Sequence, residues 1–131
     1  MAHRFNKHYT RQEARKLLPQ LRQWLRQLVD QRETLQQYER RLETLRKPGC
    51  DLGGPEVNGW VRTLLSIQDV LLRFFQRDIQ IKDLDRGLLD FPAMRDGQEV
   101  FLCWEQTEDD VEFWHDLEAG YAGRKPLDED V

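Results

Sequence analysis

The dipeptide Asp96-Gly97 stands between two runs rich in apolar residues, Asp90-Phe-Pro-Ala-Met-Arg95 and Gln98-Glu-Val-Phe-Leu-Cys-Trp104. A two-residue type I′ turn needs positive φ at both central positions, and Asp-Gly supplies it, so the stretch is predicted to fold back as an antiparallel hairpin. With those two residues in the turn, Arg95 faces Gln98, and the ladder continues through Met94–Glu99, Ala93–Val100, Pro92–Phe101 and Phe91–Leu102 to Asp90–Cys103. Pro92 then falls at a pair that exchanges no backbone hydrogen bonds, where its missing N–H is harmless. Alternation puts Leu89, Phe91, Ala93, Val100, Leu102 and Trp104 on one face and Asp90, Pro92, Met94, Glu99, Phe101, Cys103 and Glu105 on the other. The first face is core; the second is mixed and carries the chemistry.

Two helices precede the hairpin. Thr10-Arg-Gln-Glu13 fits a capping box, which starts the first helix there. Ala14, Leu21, Leu28, Leu35 and Leu42 repeat every seven residues, followed three later by Leu17, Trp24, Gln31, Tyr38 and Leu45, the pattern of a coiled-coil seam broken only at Gln31. Pro19 lies inside this pattern and predicts a kink near Arg15. The breaker-rich run Lys47-Pro-Gly-Cys-Asp-Leu-Gly-Gly-Pro55 ends the helix. A second helix is expected from about Glu56 to about Asp78, with an apolar face broader than a dimer seam requires. The short connection makes the helices antiparallel neighbours, and the seam allows them to close within one chain or in a homo-oligomer.

Composition limits the function classes. The chain has 131 residues, enough for one domain with a core, and its 34% charged residues and 13 aromatics fit a helix-rich globular protein. No apolar run reaches the roughly 18 residues of a membrane span, and "MAHRFNKHYT" lacks the apolar stretch of a secretory signal, so no membrane partner and a cytoplasmic location are expected. Residues 1–47 carry 12 Lys/Arg against 5 Asp/Glu, while the remainder carries 8 against 19. The arginines of the basic half are dispersed among Gln, Glu and Leu and form no block, which speaks against nucleic acid. Two cysteines make neither a disulfide framework nor a CxxC knuckle.

After the hairpin, Asp109-Asp-Val-Glu-Phe-Trp-His-Asp116 alternates and is expected to form a further strand, although Thr107 and Asp110 offer an alternative short helix. A connection of three or five residues after Glu105 places His115 beside Cys103 and Asp90; one of four turns it to the apolar face with Trp104. On the mixed face Asp90, Cys103, His115 and Glu105 form a donor set of N, O and S atoms suited to Zn²⁺ or Fe²⁺. Glu112-Phe-Trp-His115 matches one ExxH element of di-iron bundles, but those need two such elements and two further Glu. Cys103 as a nucleophile with His115 as its base lacks any recognisable oxyanion pocket. The acidic segment between Glu105 and Glu118, with Phe113 and Trp114, suits a cationic surface. Gly120-Tyr-Ala-Gly-Arg124 either holds a small anion or ties down the terminus through an acidic partner. Trp104, Trp114 and Arg124 are therefore candidate ligand-binding residues.

The segments "YTRQEARKLLPQLRQ", "KDLDRGLLDFPAMRDGQEVFLCW", "FWH" and "GYAGRKP" together resemble the bacterial domain-of-unknown-function 2203 family over nearly the whole chain. The resemblance implies a helical hairpin before a compact C-terminal unit, and it brings no activity with it. The expected architecture is α+β: one domain over 1–131, with a long kinked antiparallel helical hairpin within 10–80 packed on a two- or three-stranded antiparallel sheet in a unit, with acidic tail, over 81–131. The expected function is a small binding module taking a metal ion or polar ligand around Asp90, Cys103 and His115. Its rival is a non-enzymatic coiled-coil interaction protein.

Overall fold

The computed structural model describes residues 3–46 and 54–128; the centre of the breaker run and the end of the acidic tail lie outside them. Two helices, α1 (Arg11–Leu45) and α2 (Pro55–Gln76), precede five strands, β1 (Gln80–Asp83), β2 (Leu88–Arg95), β3 (Gln98–Glu105), β4 (Phe113–Asp116) and β5 (Lys125–Pro126). The strands form one antiparallel sheet in sequence order. Five strands replace the two or three expected, because β1 and β5 are short, polar edge strands without the alternation that marks a buried one. Chain contacts divide the molecule into two compact units, one made of the residues up to Leu25 with those from Phe74 onward, the other of Arg26–Arg73. The division runs through both helices.

In the first unit the sheet is centred on the β2–β3 hairpin, whose register is the one derived from Asp96-Gly97, from Arg95–Gln98 to Asp90–Cys103, extended to Leu88–Glu105. Asp96 and Gly97 have φ of 52° and 79°, as the turn demands. Leu89, Phe91, Ala93, Val100, Leu102 and Trp104 are all buried, and with Ala14, Leu18, Leu21, Trp24 and Leu25 of α1 they make the core of this unit. Burial at Leu18 and Leu25, with Leu17 only half-buried, follows the 3.6-residue period of a globular helix face rather than a narrow heptad seam. The capping box is formed: the Glu13 N–H donates to Thr10 Oγ1 at 3.1 Å and the Thr10 N–H to Glu13 Oε1 at 3.0 Å. Pro19 is exposed and α1 runs unbroken through it.

α2 ends in a Schellman motif. The Ile79 N–H reaches the Phe74 carbonyl and the Asp78 N–H the Phe75 carbonyl, both at 3.1 Å, while Ile79 and Phe74 are buried. The position that usually takes Gly is Asp78, at φ 58°. Its carboxylate accepts the backbone N–H groups of Asn6 and Lys7, so a residue unfavourable for the turn anchors the segment before α1. That segment is also fixed by the Tyr9 N–H on the Pro92 carbonyl at 2.7 Å and by Tyr9 Oη donating to the Arg77 carbonyl.

In the second unit, Tyr38 of α1 lies against Gly59 of α2 and Arg41 lies 3.7 Å from Glu56, so contacts run in opposite directions along the two helices. A Cβ at Gly59 would overlap the Tyr38 ring. Gly→Ala within a helix ordinarily stabilises by up to about 1 kcal/mol; here overpacking of about 1–3 kcal/mol opposes it. Gly59→Ala is therefore expected to lower stability in urea unfolding, and a gain would show that Tyr38 yields without cost.

Candidate metal centre

Three strands build the centre. Asp90 on β2 and Cys103 on β3 are directly opposed, and His115 on β4 is opposed to Phe101, two residues from Cys103. All three side chains stand on the mixed face. β3 ends at Glu105 and β4 starts at Phe113, so seven residues connect them. The register, Cys103 opposite Phe113 and Phe101 opposite His115, is the one a five-residue connection after Glu105 gives, and it keeps His115 on the side of Cys103. The imidazole crosses over β3 to reach β2: Nε2 is 3.0 Å from both Asp90 carboxylate oxygens, and Nδ1 is 2.7 Å from the Asp116 carbonyl. Donor atoms of Asp90, Cys103 and His115 lie within 4.8 Å of one another. The three residues are at most 2% exposed.

A carbonyl only accepts, so Nδ1 carries a hydrogen and donates it to the Asp116 carbonyl. The contact of Nε2 with the Asp90 carboxyl holds one further proton, shared along that hydrogen bond. Burial alone would lower the imidazole pKa, but the Asp90 hydrogen bond, the Asp116 carbonyl and the Asp90 charge outweigh it and raise the value, against opposition from Lys82. Burial pushes the Cys103 thiol up to about 12, the Asp90 charge and hydrogen bond add to this, and Arg124 opposes it. The thiol is therefore protonated at neutral pH, which removes it as a nucleophile.

The connection between β3 and β4 is held by α1 and by the end of β3. Arg22 donates to the Gln106 and Glu108 carbonyls, Trp104 Nε1 donates to Glu108 O at 2.9 Å, and Arg15 grips Asp110 through two hydrogen bonds at 2.8 and 2.9 Å. The Arg15 guanidinium, against a smaller opposing effect of burial, holds the Asp110 carboxyl below its ordinary value, with help from the Val111 N–H and Arg11. A depressed carboxyl stabilises the fold above its unfolded pKa of about 4 and loses that contribution as pH falls through the lower folded value. Amide exchange in 106–112, corrected for intrinsic rates, is expected to speed up as pH drops below about 4, and Asp110→Asn should flatten that dependence. Equal acid response in both proteins would contradict this role.

The other predicted site residues lie elsewhere. Glu105 is engaged by Arg86 Nε at 2.8 Å and by Tyr121 Oη at 3.3 Å, and is not in the converging donor set. Trp104 is buried in the core with the Arg22 guanidinium 4.9 Å from its ring. Trp114 is flanked by Arg95 and Lys125. Arg124 makes hydrogen bonds of 2.7 and 2.8 Å to Glu108 and stacks on Phe113 and Tyr121. His115 lies on strand β4 and Glu112 just before it, outside any helix, which removes the ExxH helical reading. Sequence reasoning missed Lys82 and Tyr121, which with Leu117, Glu118, Asp90 and His115 line a cleft of about 340 Å³ beside the centre. Lys82 sits on an unrecognised edge strand, so nothing marked its direction.

No helix among the described residues is long and apolar enough to cross a membrane. Comparison with curated proteins finds no match, and comparison with solved structures finds none. A family model described as "Uncharacterized conserved protein (DUF2203)" matches residues 7–127. With nearly the whole chain covered, including every residue of the Asp90–Cys103–His115 centre, the protein belongs to this family.

Proposed function

We propose that the protein is a metal-binding module in which Asp90, Cys103 and His115 hold a borderline divalent ion, Zn²⁺ or Fe²⁺. The observation that carries this reading is the aim of His115. Its Nδ1–H is committed to a backbone carbonyl, the arrangement that orients the ligating nitrogen of metal-bound histidines, and Nε2 points at a carboxylate with a thiol alongside. In the proton-held form a hydrogen on Nε2 bridges to Asp90; a metal ion takes the place of that hydrogen and of the thiol proton. Oxygen, nitrogen and sulfur donors from three strands match the ligand preferences of Zn²⁺, and Asp90 and His115 border the cleft that Lys82 and Tyr121 also line. Protein purified anaerobically without added metal, or reconstituted with one equivalent of Zn²⁺, is expected to keep metal through desalting. Cys103→Ser and His115→Ala should lose it. Wild-type protein that releases zinc on desalting as readily as both variants would sink the proposal.

A second reading, an interaction protein, draws on α2, where Leu65 is 58% exposed and Val61, Leu71 and Leu72 are also exposed. Leu28, a residue of the expected seam, is buried within its own chain and is unsuited to test self-association. Leu65→Glu is the informative change: a wild-type oligomer that dissociates in this variant, by sedimentation, would support the reading, and a monomeric wild type would remove it.

A further inference from the structure

The same sheet face carries a second donor cluster at its turn end. Glu99 lies on β3 four residues before Cys103, with Phe101 between them on that face. Above it runs the segment that precedes α1, bringing His3 and His8 to the carboxylate of Glu99; donor atoms of these three lie within 4.8 Å of one another. The His3 and His8 rings are 5.2 Å apart at an interplanar angle of 80°. His8 Nε2 is 2.8 Å from Glu99 Oε2.

Glu99 is oriented before any ion arrives, because the Arg4 N–H donates to Oε1 at 2.6 Å and the Phe5 N–H to Oε2 at 3.0 Å. Such backbone donors are the outer partners that hold a ligating carboxylate in position. Beside the cluster opens a cleft of about 680 Å³ lined by His3, Glu99, Gln98, Asp116 and Glu118. Its acidic side chains are Glu99, Asp116 and Glu118, the last paired with Arg4 at 3.4 Å, and the cleft leaves room for water on an ion held by the cluster.

We propose that His3, His8 and Glu99 form a second site for a divalent ion of the Zn²⁺ type, which fastens the segment before α1 to the turn end of the sheet. Two imidazoles and one carboxylate are a known zinc donor set, and the absence of sulfur disfavours soft ions such as Cu(I). Donors bound to one tetrahedral zinc at about 2.0–2.1 Å sit roughly 3.4 Å apart, so the His8–Glu99 contact of 2.8 Å opens to admit the ion while His3 adjusts to complete the set. His3 is exposed and lies outside regular structure, so it is the ligand that moves. The site differs from the first in being open to solvent and free of sulfur, and its ion exchanges readily.

The test uses full-length Cys103→Ser, in which the first centre lacks its thiolate, titrated with Zn²⁺ by calorimetry and by NMR of the histidine ring protons. One equivalent is expected to bind and to shift the His3 and His8 rings together. Adding His3→Ala should weaken that binding at least tenfold, with the fold intact because the side chain is exposed; His8→Ala should do the same. In otherwise wild-type protein, His3→Ala should leave the desalting-resistant zinc of the Cys103 centre in place. Failure of Cys103→Ser to bind zinc, or binding there that shifts neither ring or is indifferent to His3→Ala, would overturn the second site without touching the first.

Discussion

His115→Ala is expected to destabilise the metal-free protein by about 3–5 kcal/mol, the cost of leaving a buried charge without its partner. The partner is Asp90, 2% exposed, whose carboxylate would keep only the thiol donor of Cys103. Equilibrium urea unfolding measures the loss. Replacing both members by apolar residues of similar volume, Asp90→Val with His115→Phe, should recover much of it, because no charge is then stranded. A single-variant loss under about 1 kcal/mol would mean that the Asp90 carboxylate is solvated, and would contradict a His115–Asp90 pair closed off from water.

Zinc is expected to stabilise the wild type by about 2.7 kcal/mol at a free concentration 100 times its Kd, provided the unfolded chain binds it weakly. Differential scanning calorimetry in a His3→Ala, His8→Ala background isolates the contribution of the Asp90–Cys103–His115 centre. There the gain should vanish in Cys103→Ser and fall steeply in Asp90→Asn. Because the ion displaces hydrogens from Nε2 and the thiol, binding should release up to two protons, detectable as heats that depend on the buffer's ionisation enthalpy. Stabilisation that survives Cys103→Ser, or binding without proton release, would contradict displacement of these protons.

Two of the three members of this centre were legible in the chain itself. Asp96-Gly97 set the hairpin register, and the register alone opposed Asp90 to Cys103. The third member was not legible, because the side on which His115 emerges depends on the parity of a connection whose course is set in part by Arg15 and Arg22, remote in sequence. The His3–His8–Glu99 cluster gave no signal, since some 90 residues separate its members and no spacing rule reaches that far. Among the helices, the capping box placed the start of α1 correctly, because its two hydrogen bonds are local. The heptad repeat matched burial along the second half of α1, where Leu35, Tyr38, Leu42 and Leu45 are half-buried between exposed neighbours, but not along the first, where the helix covers a sheet with a wider stripe that Leu18 and Leu25 fill. Edge strands as short as β1 and β5 carry too few residues for a period to appear.

Metal ligation by a strand-borne thiolate is the claim on which the functional account stands. X-ray absorption of the His3→Ala, His8→Ala protein loaded with one equivalent of Zn²⁺ reads the coordination shell directly. The account predicts one sulfur at about 2.3 Å together with nitrogen and oxygen at about 2.0–2.1 Å. A shell of nitrogen and oxygen alone would show that Cys103 keeps its proton and that the three side chains are an ion pair with a thiol beside it.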